Sequence, residues 1–249
     1  MLSNKEGQTI PTTTFHTLEN NDWKDVTTDD LFANKTVVVF SLPGAFTPTC
    51  SSSHLPRFNE LAKTFSSNGV DDIICISVND AFVMDAWKAN QDAENITIIP
   101  DGNGEFTRGM DMLVDKSHLG FGERSWRYSM LVKNGVIEKM FIEDDSNSDP
   151  FADPFEVSDA DTMLNYINPQ AKKPDTISLF TKKDCPHCAR AKQLLDSEGL
   201  CYEVIELNSN ITEKSLNTIT GATTVPQIYI NGNHIGDADA LEAYFTKAA

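Results

Sequence analysis

The tetrapeptide Cys185-Pro186-His187-Cys188 has the spacing of a redox-active cysteine pair. It lies between a predicted strand and a predicted helix. Cys185 therefore meets unpaired N–H groups at the positive end of the helix dipole, which stabilise a thiolate. The same spacing occurs in half of a zinc site, but the sequence has no second Cys or His pair at ligand spacing. The motif therefore favours thiol–disulfide exchange over metal binding.

Cys50 occupies a similar position in the first part of the chain. It follows a Pro- and Gly-bearing loop over 43–49, which itself follows a buried strand, and it begins the next predicted helix. A thiol at this place also meets a helix N-terminus. A single cysteine is more often a small core residue, so its position alone leaves both interpretations open.

Hydrophobic patterning predicts the elements that hold Cys50. Continuous apolar runs are typical of strands buried in a parallel sheet, and longer amphipathic stretches are typical of helices. The pattern predicts strands over 36–42, 72–78 and 96–100, and helices over 50–67 and 82–91. Asn134-Gly135, between strands over 128–133 and 136–143, predicts an antiparallel hairpin with a type I′ turn. We therefore expect a mixed sheet.

The second part of the chain repeats this plan on a smaller scale. It predicts strands over 177–181, 201–206, 227–230 and 234–235, and helices over 186–198, 212–220 and 238–246. A second Asn-Gly turn stands at Asn231-Gly232. Each part has a cysteine just after its first strand. The expected fold class is α/β, with two tandem thioredoxin-like domains that carry mixed sheets.

The expected domain boundaries follow a change in composition. An acidic stretch over 143–156 and an amphipathic segment over 159–167 precede Pro169-Gln170-Ala171-Lys172-Lys173-Pro174-Asp175, which is typical of a linker. We predict one domain over 1–168, the linker over 169–175 and a second domain over 176–249.

The composition and charge of the chain argue against several classes of protein. The chain has 249 residues and a formal net charge of −17, which repels nucleic acid and anionic lipid, so we expect neither as a partner. Apolar runs reach about five residues, against the roughly 20 that a membrane-spanning helix needs. No signal-peptide pattern is visible, and five cysteines are too few for a disulfide scaffold. We expect a cytoplasmic protein.

The second part resembles the glutaredoxin family over nearly all of 175–249. Thr224-Val225-Pro226 before a strand, followed by Gly236 and Asp239, completes the resemblance that the Cys-Pro-His-Cys motif begins. The resemblance implies that Cys185 attacks glutathione-mixed disulfides and that Cys188 completes a dithiol route. It also implies that Pro226 is cis and that the Val225 backbone bonds the cysteinyl part of glutathione.

Two charged residues match glutathione positions in the same family. Lys182 matches the residue that pairs with a glutathione carboxylate, although a solvated surface lysine is the alternative. Asp239 matches the acidic residue at the γ-glutamyl end. The family usually has Gly-Gly before a small residue, whereas here Gly236 is followed by Asp237 and Ala238. Asp237 therefore adds a negative charge near the glutathione carboxylates.

The first part resembles the peroxiredoxin family. Pro43, Thr47 and Cys50 stand in the register of the active-site motif Pro-x-x-x-Thr-x-x-Cys, and Arg127 before Tyr-Ser-Met matches the active-site arginine. The resemblance implies that Cys50 is the peroxidatic cysteine. Thr47, the Cys50 N–H and Arg127 would hold the peroxide, and Pro43 would shield the site. Arg124 is a nearby alternative for the arginine.

Three further residues remain to be interpreted. His54 and Cys75 each allow two interpretations, and Cys201 has a structural one. His54, one helical turn after Cys50 and followed by Leu55-Pro56, resembles the type II, five-like branch of the peroxiredoxins, or is an ordinary helix residue. Cys75 alternates with isoleucines in a buried strand and favours a packed thiol, although some type II members have a resolving cysteine at this spacing. Cys201 opens a predicted strand and is most simply structural.

The domain order resembles bacterial hybrid peroxiredoxin–glutaredoxin fusions. This resemblance implies a peroxidase that reduces hydrogen peroxide and alkyl hydroperoxides, uses glutathione as reducing co-substrate, holds no bound cofactor or metal, and forms homo-oligomers. The alternative is a thiol-redox sensor or an iron–sulfur carrier in which Cys185 ligates a cluster. Cluster carriers of this family often have a single cysteine before Gly-Phe-Ser, whereas this chain has two.

Overall fold

Residues 2–19, 22–146 and 151–248 are described by a computed structural model of the chain. The chain divides into two units, Met1–Lys173 and Pro174–Ala249. The division falls within residues 169–175, which we propose as the linker. Residues 147–150, in the middle of the acidic stretch over 143–156, lie outside the described residues.

The first unit is an α/β layer structure built on a five-stranded mixed sheet with the order β5-β4-β3-β8-β9. Its strands are β1 (Thr14–Glu19), β2 (Asp22–Thr27), β3 (Thr36–Ser41), β4 (Asp72–Ser77), β5 (Thr97–Pro100), β6 (Leu113–Asp115), β7 (Glu123–Ser125), β8 (Tyr128–Lys133) and β9 (Val136–Ile142). Its α-helices are α1 (Thr28–Phe32), α2 (Leu55–Ser67), α3 (Ala81–Asn90), α4 (Glu105–Gly109) and α5 (Ala160–Ile167). Strands β3, β4 and β5 are parallel, whereas β8 and β9 are antiparallel to their neighbours.

Strand β3 is buried on both faces, as its continuous apolar pattern predicts. Val38 and Phe40 pack in one core with residues of α2 and α5, and Val37 and Val39 pack in a second core on the opposite face of the sheet. All four side chains are fully buried. At about 1.5 to 3 kcal/mol for each large apolar side chain removed from water, this strand anchors the unit.

The predicted hairpin of β8 and β9 is confirmed. The strands pair antiparallel, and the turn residues Asn134 and Gly135 have φ values of 46° and 76°. Two successive left-handed residues define a type I′ turn, which explains the Asn-Gly pair. The same geometry occurs at Asn231 and Gly232, with φ values of 50° and 75°.

Some elements differ from the prediction. The hairpin of β1 and β2 was not predicted because its side chains are mostly exposed and polar and lack a clean alternation. Helices α1 and α4 span five residues each, too short for a periodic pattern. The helix predicted over 50–67 is wrong at its start, because a π-helical turn, Cys50–His54, precedes α2.

The second unit has a four-stranded mixed sheet with the order β11-β10-β12-β13. Its elements are β10 (Ile177–Thr181), α6 (Pro186–Ser197), β11 (Glu203–Glu206), α7 (Glu213–Thr220), β12 (Gln227–Ile230), β13 (Asn233–Gly236) and α8 (Ala238–Ala248). The predicted α/β fold class with mixed sheets is thereby confirmed in both units. Cys201 lies before β11 and is exposed, so the prediction that it opens this strand is wrong.

Within the described ranges, no helix is both long and apolar enough to cross a lipid bilayer.

Candidate active site

The loop after β3 places Cys50 beyond the C-terminal end of this central strand. The Ala45 N–H donates to Oδ1 of Asn79 over 3.0 Å, which ties the loop to the end of β4. The Thr47 hydroxyl donates to the Gly44 carbonyl over 2.8 Å. Because the proton of Thr47 is engaged in this way, its oxygen is left to accept a hydrogen bond. Cys50 then begins the π-helical turn and is fully buried.

The π-helical turn brings His54 beside Cys50. The Leu55 N–H donates to the Cys50 carbonyl, five residues earlier, instead of to a carbonyl four residues earlier as in an α-helix. Cys50 and His54 are the two buried residues of this turn, and the serines between them are more exposed. π-Helical turns occur frequently at functional sites.

Arg127 reaches Cys50 from the strand next to β3. Strands β3 and β8 are antiparallel with Ser41 opposite Tyr128, so the C-terminus of β3 and the residue before β8 lie at the same end of the sheet. Nη1 of Arg127 lies 3.5 Å from Sγ of Cys50, and the guanidinium is almost fully buried. Its Nε has no hydrogen-bond partner among the described residues, which leaves a donor for a ligand oxygen.

Arg124, the alternative arginine, is directed elsewhere. Its Nη1 donates to the Val78 carbonyl over 2.8 Å, and its Nε donates to the Phe121 carbonyl over 3.0 Å. These contacts hold the loop before β7 against the end of β4.

His54 is a neutral hydrogen-bond acceptor for Arg127. Nε2 lies 3.1 Å from the Ser158 carbonyl, which only accepts, so Nε2 carries the proton. Nδ1, 3.1 Å from Nη1 of Arg127, then accepts from the guanidinium. Burial and the Arg127 cation hold the pKa of His54 well below its usual range. His54 therefore orients the arginine without adding positive charge.

The segment over 151–158 lies against Arg127 and His54, and no motif in the sequence indicates it. Asp153 forms an ion pair with Nη2 of Arg127, and the Phe155 ring lies 5.4 Å from the guanidinium. The buried Glu143 carboxylate accepts N–H bonds of 2.9, 3.0 and 2.8 Å from Glu156, Val157 and Ser158. It also accepts from the Ser158 hydroxyl over 2.7 Å. The acidic stretch over 143–156 was the only sign of this segment in the sequence, and acidic composition does not indicate a contact with Arg127.

Cys75 is buried in β4, opposite Phe40 of β3. Desolvation raises the pKa of its thiol well above the usual value, and negative charge at Cys50 raises it further. Cys75 is therefore close enough to sense Cys50 electrostatically and stays protonated at neutral pH.

In the second unit, Cys185 caps α6. Its sulfur accepts from the Cys188 N–H over 3.1 Å, and the two cysteines form a disulfide. Cys185 is half-buried and Cys188 is buried. The Cys185 sulfur lies 3.9 Å from the carbonyl of Val225, and the bond between Val225 and Pro226 is cis. These residues form one cluster at the N-terminus of α6.

Of the charged residues around the expected glutathione site, Lys182 has an exposed side chain, and Asp239 and Asp237 already bind other groups of the protein. Asp239 forms an ion pair with Arg190, which also pairs with Glu242. Asp237 follows Gly236 and accepts from the N–H groups of Asp239 and Ala240 over 3.1 and 3.0 Å, so its carboxylate caps α8.

Comparison with known proteins gives two family matches. The redoxin family matches residues 5–164, and the glutaredoxin family matches residues 177–235. The chain is 61% identical over 244 residues to the hybrid peroxiredoxin hyPrx5 of Haemophilus influenzae, which covers 98% of this chain and 100% of that protein. It is 63% identical over 145 residues to the peroxiredoxin sll1621 of Synechocystis, covering 58% of this chain and 77% of that one.

A solved structure agrees with these matches. The crystal structure of reduced Prx3 in complex with H2O2 from Vibrio vulnificus is 41% identical, with a TM-score of 0.61. The match covers 66% of this chain and 99% of that chain.

Proposed function

Because the chain belongs to the redoxin family and is a peroxiredoxin thiol peroxidase with a fused glutaredoxin domain, we propose that glutathione and Cys185 recycle its peroxidatic cysteine, Cys50. The observation that carries the assignment of Cys50 is its buried contact with Arg127, 3.5 Å from sulfur to Nη1. A thiolate there has a permanent cation beside it and a free Nε donor on the same guanidinium.

In the first step, the Cys50 thiolate attacks one oxygen of hydrogen peroxide or an alkyl hydroperoxide. An S–O bond forms and the O–O bond breaks, so the sulfur loses two electrons and becomes a sulfenic acid. The departing oxygen takes a proton and leaves as water or alcohol. Arg127 stabilises the charge that develops on this oxygen, and the Thr47 oxygen accepts from the peroxide O–H.

In the second step, glutathione condenses with the sulfenic acid and releases water, which leaves a mixed disulfide at Cys50. The Cys185 thiolate attacks the glutathione sulfur and expels the Cys50 thiolate. A second glutathione then attacks the Cys185 adduct, and oxidised glutathione leaves. One peroxide and two glutathiones give one water, one water or alcohol, and one glutathione disulfide. Cys188 offers a dithiol route through its disulfide with Cys185.

The glutathione site we propose lies around Cys185, Val225 and Pro226, with Gly236, Lys182 and Asp239 as further contacts. The support is the cluster at the N-terminus of α6 together with the glutaredoxin match. If Asp239 binds the glutathione amine, its carboxylate must bind that amine and Arg190 at the same time. We further propose a homo-oligomer that acts in the cytoplasm, where glutathione is abundant.

A coupled assay tests this proposal. The protein is mixed with hydrogen peroxide, glutathione, glutathione reductase and NADPH, with no added glutaredoxin. We expect peroxide-dependent NADPH oxidation that needs both glutathione and Cys185. Turnover with thioredoxin and thioredoxin reductase but none with glutathione would contradict the recycling route and leave the peroxidase assignment standing.

A further inference from the structure

We propose that Asp153 is a positioning residue for the peroxidase reaction, which holds Arg127 with Nη1 toward Cys50 and offsets part of its positive charge. The inference rests on the thiol peroxidase activity alone and does not depend on glutathione.

The hydrogen bonds of Arg127 show what Asp153 does. The two N–H groups of Nη1 point to Sγ of Cys50 and to Nδ1 of His54. Asp153 binds Nη2, on the other side of the guanidinium. A planar guanidinium that is held on both Nη atoms has a fixed orientation, so its Nε–H is also directed. Without Asp153, the neutral His54 is the only side chain among the described residues that accepts from the guanidinium, apart from the reacting sulfur.

Asp153 is itself held in place by its segment. Pro154 restricts the backbone next to it, and the Phe155 ring packs 4.8 Å from the His54 ring as well as against Arg127. Glu143 then fixes the backbone of the following three residues through its buried carboxylate. The side chain of Asp153 is 38% exposed, whereas Cys50, His54 and Arg127 are buried, so the ion pair lies at the rim of the site.

The charges around Cys50 make the role measurable. Nη1 of Arg127 contacts the Cys50 sulfur, while the neutral His54 and the Asp153 anion bind the same arginine. The protonated Cys75 of β4 lies within electrostatic range of Cys50. Removing the anion leaves the cation less compensated, so the arginine attracts negative charge on the Cys50 sulfur more strongly. The arginine also loses its fixed partner, so the thiolate reacts more slowly with peroxide. A purely structural residue would change the rate without changing the pH profile of Cys50 alkylation.

The test compares Asp153→Asn with Asp153→Glu and with a matched control, Glu156→Gln. Glu156 is an exposed carboxylate of the same segment, and its replacement changes the net charge equally. The pH dependence of Cys50 alkylation by iodoacetamide is followed on the Cys50 peptide by mass spectrometry. The rate of a single oxidation by hydrogen peroxide, which needs no reductant, is followed by tryptophan fluorescence.

For Asp153→Asn we expect the alkylation midpoint to fall by about half a pH unit, and the peroxide rate constant above that midpoint to fall about ten-fold. Asp153→Glu should have an alkylation midpoint and a peroxide rate constant close to those of the wild type, and Glu156→Gln should match the wild type in both. The proposal is overturned if Asp153→Asn leaves the midpoint unchanged, if its peroxide rate equals that of the wild type, or if Glu156→Gln reproduces the shift. Should Asp153→Asn fail to fold, Asp153→Ser, which also removes the carboxylate, is judged by the same two measurements and the same outcomes.

Discussion

Nη1 of Arg127 lies 3.5 Å from the sulfur of Cys50, although 77 positions separate the two residues in the chain. The pairing of β3 with β8 produces this contact, because it aligns the end of one strand with the start of the other. The contact places a permanent cation against the thiol, and because both groups are buried the interaction between them is strong.

Cys50→Ser should abolish peroxide consumption, because a serine hydroxyl in this contact is not ionised at neutral pH and does not attack peroxide. Reduction of a glutathione-mixed disulfide by the second unit should stay within about two-fold, since Cys185 belongs to the second unit, whose hydrophobic core is distinct from the one that contains Cys50. Both activities are measured on the full chain. Peroxide turnover above about one-tenth of the wild-type rate would contradict the assignment of Cys50.

Replacing Cys75 should leave most of the glutathione-supported turnover. Burial raises the pKa of this thiol, so it supplies little thiolate to attack an oxidised Cys50. Cys75→Ala is the suitable variant, since it introduces no buried hydroxyl among apolar neighbours. Turnover is measured in the coupled assay, and the peroxide-treated wild type is mapped by mass spectrometry. A Cys50–Cys75 disulfide as the main product would make Cys75 the resolving residue.

The two cysteines of the second unit should differ in importance. Cys185 is half-buried at the N-terminus of α6, whereas Cys188 lies inside the helix and is buried. Cys188→Ser should therefore keep at least about half of the peroxidase turnover through the monothiol route, and Cys185→Ser should lose it. Both are compared in the coupled assay without added glutaredoxin. The reverse ranking would exchange the two roles.

His54 should make the first unit less stable in mild acid. Its pKa is lowered in the folded state, so between that value and about pH 6.5 the unfolded chain binds a proton that the folded chain excludes. The contribution of the neutral His54 to the free energy of unfolding is complete above about pH 6.5. As the pH falls below that value, the free energy of unfolding decreases by up to about 1.4 kcal/mol per pH unit.

The comparison of wild type with His54→Phe isolates this effect, since a phenylalanine keeps the packing against Phe40, Phe58 and Phe155. Unfolding by urea is followed by tryptophan fluorescence at pH 7 and pH 5.5. All three tryptophans, Trp23, Trp87 and Trp126, belong to the first unit, so the signal reports on that unit alone. Equal pH slopes for the two proteins would show that His54 does not titrate in this way.

Glu143→Gln should destabilise the first unit by about 2 kcal/mol, because a carboxamide puts a donor in place of Oε2, which accepts from the Glu156 N–H over 3.0 Å. It also removes the negative charge that strengthens the bonds accepted by Oε1 from the N–H groups of residues 156–158 and from the Ser158 hydroxyl. Asp145→Asn, two residues later at an exposed position, is the matched control and should change the free energy of unfolding by less than about 0.5 kcal/mol. The measurement is urea unfolding at pH 7. Equal values for the two variants would mean that Glu143 does not hold the segment.

Local sequence patterns were sufficient for much of the fold. The buried strand β3, the loop that ends at Cys50 and the hairpin at Asn134-Gly135 all depend on residues that are neighbours in the chain. The π-helical turn could not be predicted, because apolar spacing does not distinguish a carbonyl partner five residues away from one four residues away.

The surroundings of Arg127 could be predicted only in part. The resemblance identified Cys50 and Arg127 as one site, but the acceptor of His54 and the partner of Arg127 both lie in an irregular segment with no periodicity. Their positions depend on the contacts of Glu143, a buried carboxylate whose burial no local pattern indicates.

The π-helical turn restricts which changes of length this chain tolerates. An α-helix turns by about 100° per residue, so deletion of one of the three serines between Cys50 and His54 would regularise the turn into ordinary α-helix. It would also rotate Cys50 by about that angle relative to the face of α2 that carries Phe58 and Leu61. The thiol would then no longer face Arg127. Substitutions at Ser52 and Ser53, which are exposed, should be accepted far more readily than a one-residue deletion.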